Sequence, residues 1–286
     1  MVQDLTCVQQ WLEKRGLKLQ RKPNRGLWIE GDEYIFRNAM IDLYSEAQKT
    51  PLVLPDQEIE KLDYRIDFVN YTKIKQLFPR LDLYGLQTIL QQAEQKLGYC
   101  FTDEAFINLV VHIAIAVERV KQGKQVIMDE DRIERLAGSE EFDVAKWMVI
   151  QIEELFGSNI PLAEVGYISL HLLSARVQRS IRIDNLQEVL AAEDQAFIEL
   201  ADRITHVVSD ILRVDLTKDK LLSTGLVLHL RPMVMRVRYG IKLRNPLLER
   251  IKREYTSIFG ATWATNEIFE SLFGITVGED EISYIA

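Results

Sequence analysis

The chain has 286 residues, is 47% hydrophobic and 27% charged, and carries a formal net charge of −8, which is ordinary for a globular protein of one or two domains. The acidic balance argues against a chain that grips nucleic acid along its whole length, but it leaves room for a local basic patch. The longest apolar run, 109–117 around His112, falls far short of the roughly 20 residues a membrane span needs, and no signal-peptide pattern opens the sequence.

With only 7 prolines and 14 glycines, the composition favours helices over turn-rich β-structure. Cys7 and Cys100 form neither a CxxC nor a metal-ligand spacing, so free thiols in a reducing cytoplasm are expected.

In chain order, Leu5, Val8 and Leu12 recur at the spacing of one helix face, predicting a helix over 4–16. Short alternating stretches at 17–19 and 27–29 flank the basic turn RKPNRG (21–26), giving the order helix, strand, wing, strand. Over residues 1–31, Lys14, Arg15, Lys18, Arg21, Lys22 and Arg25 outweigh Asp4, Glu13 and Glu30, a local excess of positive charge on an acidic chain. A helix over 33–47 follows, then a proline-bearing linker (TPLVLPDQE, 50–58). From Asp82 onward the pattern is helical: 83–97, 103–122, 142–156, 162–178, 193–213, 218–239, 245–259, 263–273 and 279–286. No strand pattern is visible after the first hairpin, so the body is expected to be all-α.

The sequence repeats itself. LFGSNIPLAEVGYI (155–168) aligns without gaps on LFGITVGEDEISYI (272–285), an offset of 117 residues from Leu155 to Leu272. The same offset lays LVVHIAIAVERV (109–120) on LVLHLRPMVMRV (226–237), so that His112 meets His229 and Arg119 meets Arg236. Two copies of one domain are implied. The first copy continues past Tyr167 to His171, whereas the chain ends before the second copy reaches that position. A fragment of a longer protein is therefore expected.

His112, His171 and His229 lie in apolar helical contexts. One such histidine is ordinarily a packed core residue, but its return at a matched position of a repeat demands a reason. Metal binding lacks the ligand spacing: there is no HxxxH, HExxH or Cys/His cluster. Hydrolase chemistry lacks GxSxG, CxxC or a glycine-rich phosphate loop, so no catalytic residue and no cofactor are assigned. The remaining chemistry is phosphorylation of imidazole, a good nucleophile near neutral pH. A phosphoryl group adds nearly two negative charges. Arg119 and Arg236 each follow their histidine by two helical turns, about 10 Å on the same face, and are candidate phosphate contacts; the alternative for each is a surface salt bridge. Pro232 is expected to bend the helix beside His229.

These residues carry a resemblance. FTDEAFINLVVHIAIAVERVKQG (101–123) with IPLAEVGYISLHLLSAR (160–176), and LVLHLRPMVMRVRYGIKLRNPLL (226–248) with its Asn245-Pro246 pair, resemble the PTS regulation domains (PRDs) of bacterial sugar-operon regulators. That group includes BglG-family antiterminators and the Mga- and mannitol-activator-like branch. The resemblance implies two tandem helical bundles, at 81–180 and 193–286, the second truncated. It implies phospho-acceptors at His112, His171 and His229, donated to by the phosphocarrier protein and by sugar-specific phosphotransferase components, with dimer packing as the output. Members often carry Asp immediately before the first histidine; here that residue is Val111.

Residues 1–48 resemble the recognition helix, wing and following helix of a winged helix-turn-helix, and 49–80 reads as the linker. Arg21, Lys22 and Arg25 would then contact DNA phosphates in the intact protein, or else form a solvated basic turn. The expected function is the regulatory core of a cytoplasmic, homodimeric transcriptional activator, with no enzymatic, metal or membrane role. An RNA-binding antiterminator of the same family, or an all-α scaffold with structural histidines, are the alternatives.

Overall fold

The computed structural model describes residues 2–24, 26–48, 65–175, 177–178, 195–241 and 243–286. Arg25 and the proline-bearing stretch 50–58 lie outside them. The chain divides into two compact units, Met1–Leu172 and Leu173–Ala286.

The first unit opens with helix α1 (Val2–Glu13), strands β1 (Lys18–Lys22) and β2 (Gly26–Glu30), and helix α2 (Glu33–Gln48). The strands pair antiparallel, with Lys22 opposite Gly26. Asn24 at the tip adopts φ 63°, a conformation that asparagine tolerates better than most residues. A small core of Leu12, Leu17 and Ala39, flanked by Trp11, Leu19 and Phe36, holds helix, hairpin and α2 together. Arg15 lies flat on Trp11, 3.6 Å from the ring centroid, and binds Asp42 at 2.8 Å.

Helices α3 (Phe68–Leu77), α4 (Leu83–Leu97), α5 (Asp103–Lys121), α6 (Glu130–Ala137), α7 (Glu140–Phe156) and α8 (Leu162–Ser174) complete this unit and cross its boundary by two residues. Side-chain caps start several of them: Asp67 for α3, Asp82 for α4, Thr102 for α5 and Ser139 for α7. Each satisfies backbone N–H groups that have no partner within the first turn. The core runs through Leu86, Leu90, Ala93, Phe106, Val110, Ile113, Met148 and Ile152. α8 is buried almost throughout from Glu164 to Ala175.

The second unit contains α9 (Gln195–Leu212), α10 (Lys220–Tyr239), α11 (Leu248–Glu254), α12 (Thr256–Trp263), α13 (Asn266–Phe273) and α14 (Glu279–Ile285). Its core gathers Leu200, Ile204, Val227, Leu230, Val234, Phe269, Val277 and Ile282. The repeat is visible in the element order. α5 matches α10, α6 matches α11, and α8 matches α14. Gly157 and Gly274 end matched helices with φ 63° and 62°, the left-handed cap that glycine adopts without a Cβ penalty. α10 runs on through Pro232 to Tyr239.

Four details depart from the sequence reading. Residues 68–77, assigned to the linker, form α3, whose N-cap Asp67 accepts from the backbone of Val69 and Asn70. Short helix α6, whose face is too brief for periodicity to register, follows the turn at Gly123. The helix expected over 245–259 is two helices divided at Tyr255. Two-residue strands, Cys100–Phe101 and Val177–Gln178, exist beyond the hairpin, and both are too short for an alternating pattern to show.

Candidate functional site

α5 and α8 bring His112 and His171 face to face. Their ring centroids are 3.7 Å apart and the planes lie 28° from parallel. His112 is partly exposed, and His171 is only 5% exposed. Tyr167, one turn before His171 on α8, closes the group. Its ring meets His171 edge-on at 4.4 Å, and its hydroxyl lies 3.1 Å from His112 Nδ1. That contact serves either tautomer: the phenol donates to a bare Nδ1, or Nδ1–H donates to the phenol oxygen and leaves the Nε2 lone pair available.

Burial is the main influence on all three groups. It drives His112 down to about 3, with the positive charge of Arg37 adding to the effect. His171 is held well below its ordinary value by burial, then by His112 and Arg37. Tyr167 is pushed up by burial and stays protonated. At neutral pH the site is thus two stacked neutral imidazoles beside a phenol, which is the protonation state a nucleophilic imidazole needs.

A buried ionic chain borders this group. Arg37, on α2, is 0% exposed. Its NH1 and NH2 donate to the two carboxylate oxygens of Glu164 on α8 at 2.7 and 2.8 Å, and its guanidinium sits over the Tyr167 ring at 4.8 Å. Arg37 Nε also binds Glu33, one turn earlier on α2, at 3.0 Å. Arg119, on α5, holds the same Glu33 through Nε at 2.8 Å and NH2 at 2.6 Å. Burial alone would raise Glu33, but hydrogen bonds from Arg119 and then Arg37 win and keep its carboxyl below the usual range. The partner of Arg119 is therefore a carboxylate of α2 rather than an open phosphate position.

In the second unit His229, on α10, is partly exposed and lies 6.0 Å from the Tyr284 ring. The hydroxyl of Tyr284 donates to the Arg244 carbonyl at 3.1 Å. Arg236 is 3% exposed. It holds Glu281 bidentately at 2.6 and 2.8 Å and donates to the Ser174 carbonyl at 3.0 Å. Like Arg119 it is carboxylate-bound, and it is buried where a surface pair was the alternative. Asn245 fastens α14: its backbone N–H donates to Asp280 and its amide to Ser283, both at 2.8 Å.

A family model described as the PRD domain matches residues 87–175 and again 202–286, together more than half of the chain. The chain belongs to the PRD family. The first PRD match contains His112 and His171, and the second contains His229. The chain is similar to the probable licABCH operon regulator of Bacillus subtilis, with 25% identity over 283 residues, 99% of this chain and 41% of that protein. It is similar to the transcriptional regulator ManR of the same organism, with 25% identity over 99% of this chain and 40% of that protein. The transcription antiterminator LicT, also from B. subtilis, shares 21% identity over 95% of this chain and 87% of its own length. The chain thus spans about two fifths of the length of the first two relatives.

The stacking of the first PRD's two histidines leaves no local signature in the sequence, where they stand 59 residues apart. Among the described residues, no group of three or more His, Cys, Asp or Glu could hold a metal ion, and no helix is long and apolar enough to cross a membrane. Tyr167, Glu164, Glu33 and Arg37 were not singled out as site residues. The repeat already matched Tyr167 to Tyr284 and Glu164 to Glu281, a usable signal. Glu33 and Arg37 gave none, because Arg37 meets its partner Glu164 across 127 residues of sequence. Arg21 and Lys22 are exposed on the hairpin.

Proposed function

We propose that this chain is the regulatory core of a sugar-operon transcriptional activator, and that His112, His171 and His229 accept phosphoryl groups from phosphotransferase proteins. The observation that carries this reading is the stacked, neutral His112–His171 pair on matched PRD helices. In this scheme the chain is a phosphoryl acceptor and does not turn over a substrate. His112 and His229 are partly exposed, but His229 Nε2 is itself buried, so a donor reaches it only after a local rearrangement. His171 is buried, so a donor reaches it only when the α5–α8 face opens or by relay from His112.

The N-terminal helix and hairpin support the activator branch over the antiterminator branch. α1 leaves Thr6 to Gln10 exposed, while Arg15 and Trp11 anchor its other side to α2. A basic hairpin tip bearing Arg21 and Lys22 follows at the position of a wing. The output proposed is a change of association between copies of the protein. Domain limits of 1–48, 49–80, 81–180 and 193–286 belong to the same proposal.

The test is incubation with the purified phosphocarrier system, followed by mass spectrometry of acid-labile phosphate. Label on His112 or His171, and on His229, is expected. No label on any of the three defeats the proposal.

A further inference from the structure

Arg119 and Glu164 stand at the repeat positions of Arg236 and Glu281. In the second unit those two side chains bind each other. In the first they do not: the α2 pair Glu33–Arg37 is inserted between them, making the chain Arg119–Glu33–Arg37–Glu164. We propose that Glu33 and Arg37 form a latch, and that the first unit has a second state in which α2 departs and Arg119 closes on Glu164 as Arg236 closes on Glu281.

Charge accounting carries the inference. Glu164 is 1% exposed and Arg37 0%, and a buried charge deprived of its partner costs several kcal/mol. Departure of α2 would ordinarily incur that penalty, but here it does not. The leaving helix takes with it an acid and a base one turn apart, already 3.0 Å from each other, which complete one another in water. It leaves behind an acid and a base at positions that pair in the sister copy. Both products are self-complementary, and no charge is stranded in either state. The rest of the α2 contact includes Tyr34 edge-on against Tyr167 at 6.3 Å, Phe36 beneath Arg119 at 4.0 Å, Arg37 donating to the Lys124 carbonyl at 3.5 Å and Tyr44 donating to Asn70 of α3 at 2.7 Å; release of α2 gives these up but leaves no ion pair without a replacement. α2 is also held to α1 and the hairpin by their own core, so the whole N-terminal module would move with it. The latch stands independently of whether the histidines are phosphorylated.

The test is charge reversal read by distance. Spin labels are placed on the full chain at Ser45→Cys and Glu104→Cys, both exposed positions, with Cys7→Ser and Cys100→Ser. The parent should give one narrow distance distribution. Glu33→Arg with Arg37→Glu sets like charges against Arg119 and Glu164 but still pairs internally once α2 is free. The docked-to-open ratio should fall at least about a hundredfold, because like-charge contacts cost several kcal/mol. Near-ultraviolet circular dichroism of the unit should remain native. Adding Arg119→Glu and Glu164→Arg restores complementarity, and the narrow distribution should return. A reversed variant that stays narrow, one that loses native packing, or a fourfold variant that stays broad overturns the latch.

Discussion

His112 and His171 share a stacked contact, 3.7 Å between centroids, in a place where neither can hold a proton at neutral pH. Unfolding releases both imidazoles to their ordinary value of 6.5. As pH falls, the unfolded chain binds protons that the folded one refuses. Stability is therefore full above about pH 6.5 and declines below it, toward the value of about 3 that His112 has in the fold. Glu33, held low by its arginines, adds to the loss at the acid end. The slope is at most about 1.4 kcal/mol per pH unit for each histidine. Urea midpoints measured from pH 8 to 4 should show the decline. His112→Asn with His171→Asn should flatten it between pH 6.5 and 5; an unchanged slope would locate the effect elsewhere.

The same closeness would limit the proposed phosphorylation. Two phosphoryl groups on rings in contact would set nearly four negative charges within a few ångström, a repulsion of several kcal/mol even near a protein surface. The first PRD should accept one phosphoryl group. Intact-mass measurement on His229→Ala at saturation should show a single addition, and two additions would sink the idea.

The sequence made the helical body legible because apolar periodicity and glycine ends are local signals. Leu83–Leu97 and Asp103–Lys121 came out nearly residue for residue. The histidine site was legible only through the repeat, since nothing local separates His112 from a core imidazole. The ionic partners were hidden. Arg119 resembles a phosphate ligand two turns from its histidine, and only the fold reveals that Glu33, 86 residues earlier, takes its charge. α3 and α6 escaped because a single short face gives little periodicity, and their Asp67 and Asp129 caps are recognisable only once the helix is known.

Arg236 and Glu281 offer the simplest stability test in the second unit. Glu281→Gln leaves the Arg236 guanidinium buried with neutral partners, which should cost about 3–5 kcal/mol. The double change Arg236→Met, Glu281→Leu removes both charges and should recover much of that loss. Urea unfolding followed by hydrogen exchange of α10 amides reports the effect. A single variant as stable as the parent would mean the pair contributes nothing beyond geometry.

Tyr167 is placed to orient His112, whose preceding residue, Val111, has no polar side chain to do so. Its hydroxyl fixes Nδ1, so attack on a phosphoryl donor falls to Nε2 when Nδ1 carries the proton. Tyr167→Phe keeps the ring that packs on His171 and Tyr34 and removes only the oxygen. One buried hydrogen bond is worth about 1 kcal/mol, so the loss in stability should be modest and labelling of His112 should slow about fivefold. His229 lies beside a different tyrosine, Tyr284, which the Tyr167→Phe change leaves untouched, so its labelling rate should be unchanged and serves as the internal control. Equal slowing at His112 and His229 would point to a general loss of structure, and no slowing at His112 would show that stacking on His171 orients the imidazole without help from the phenol.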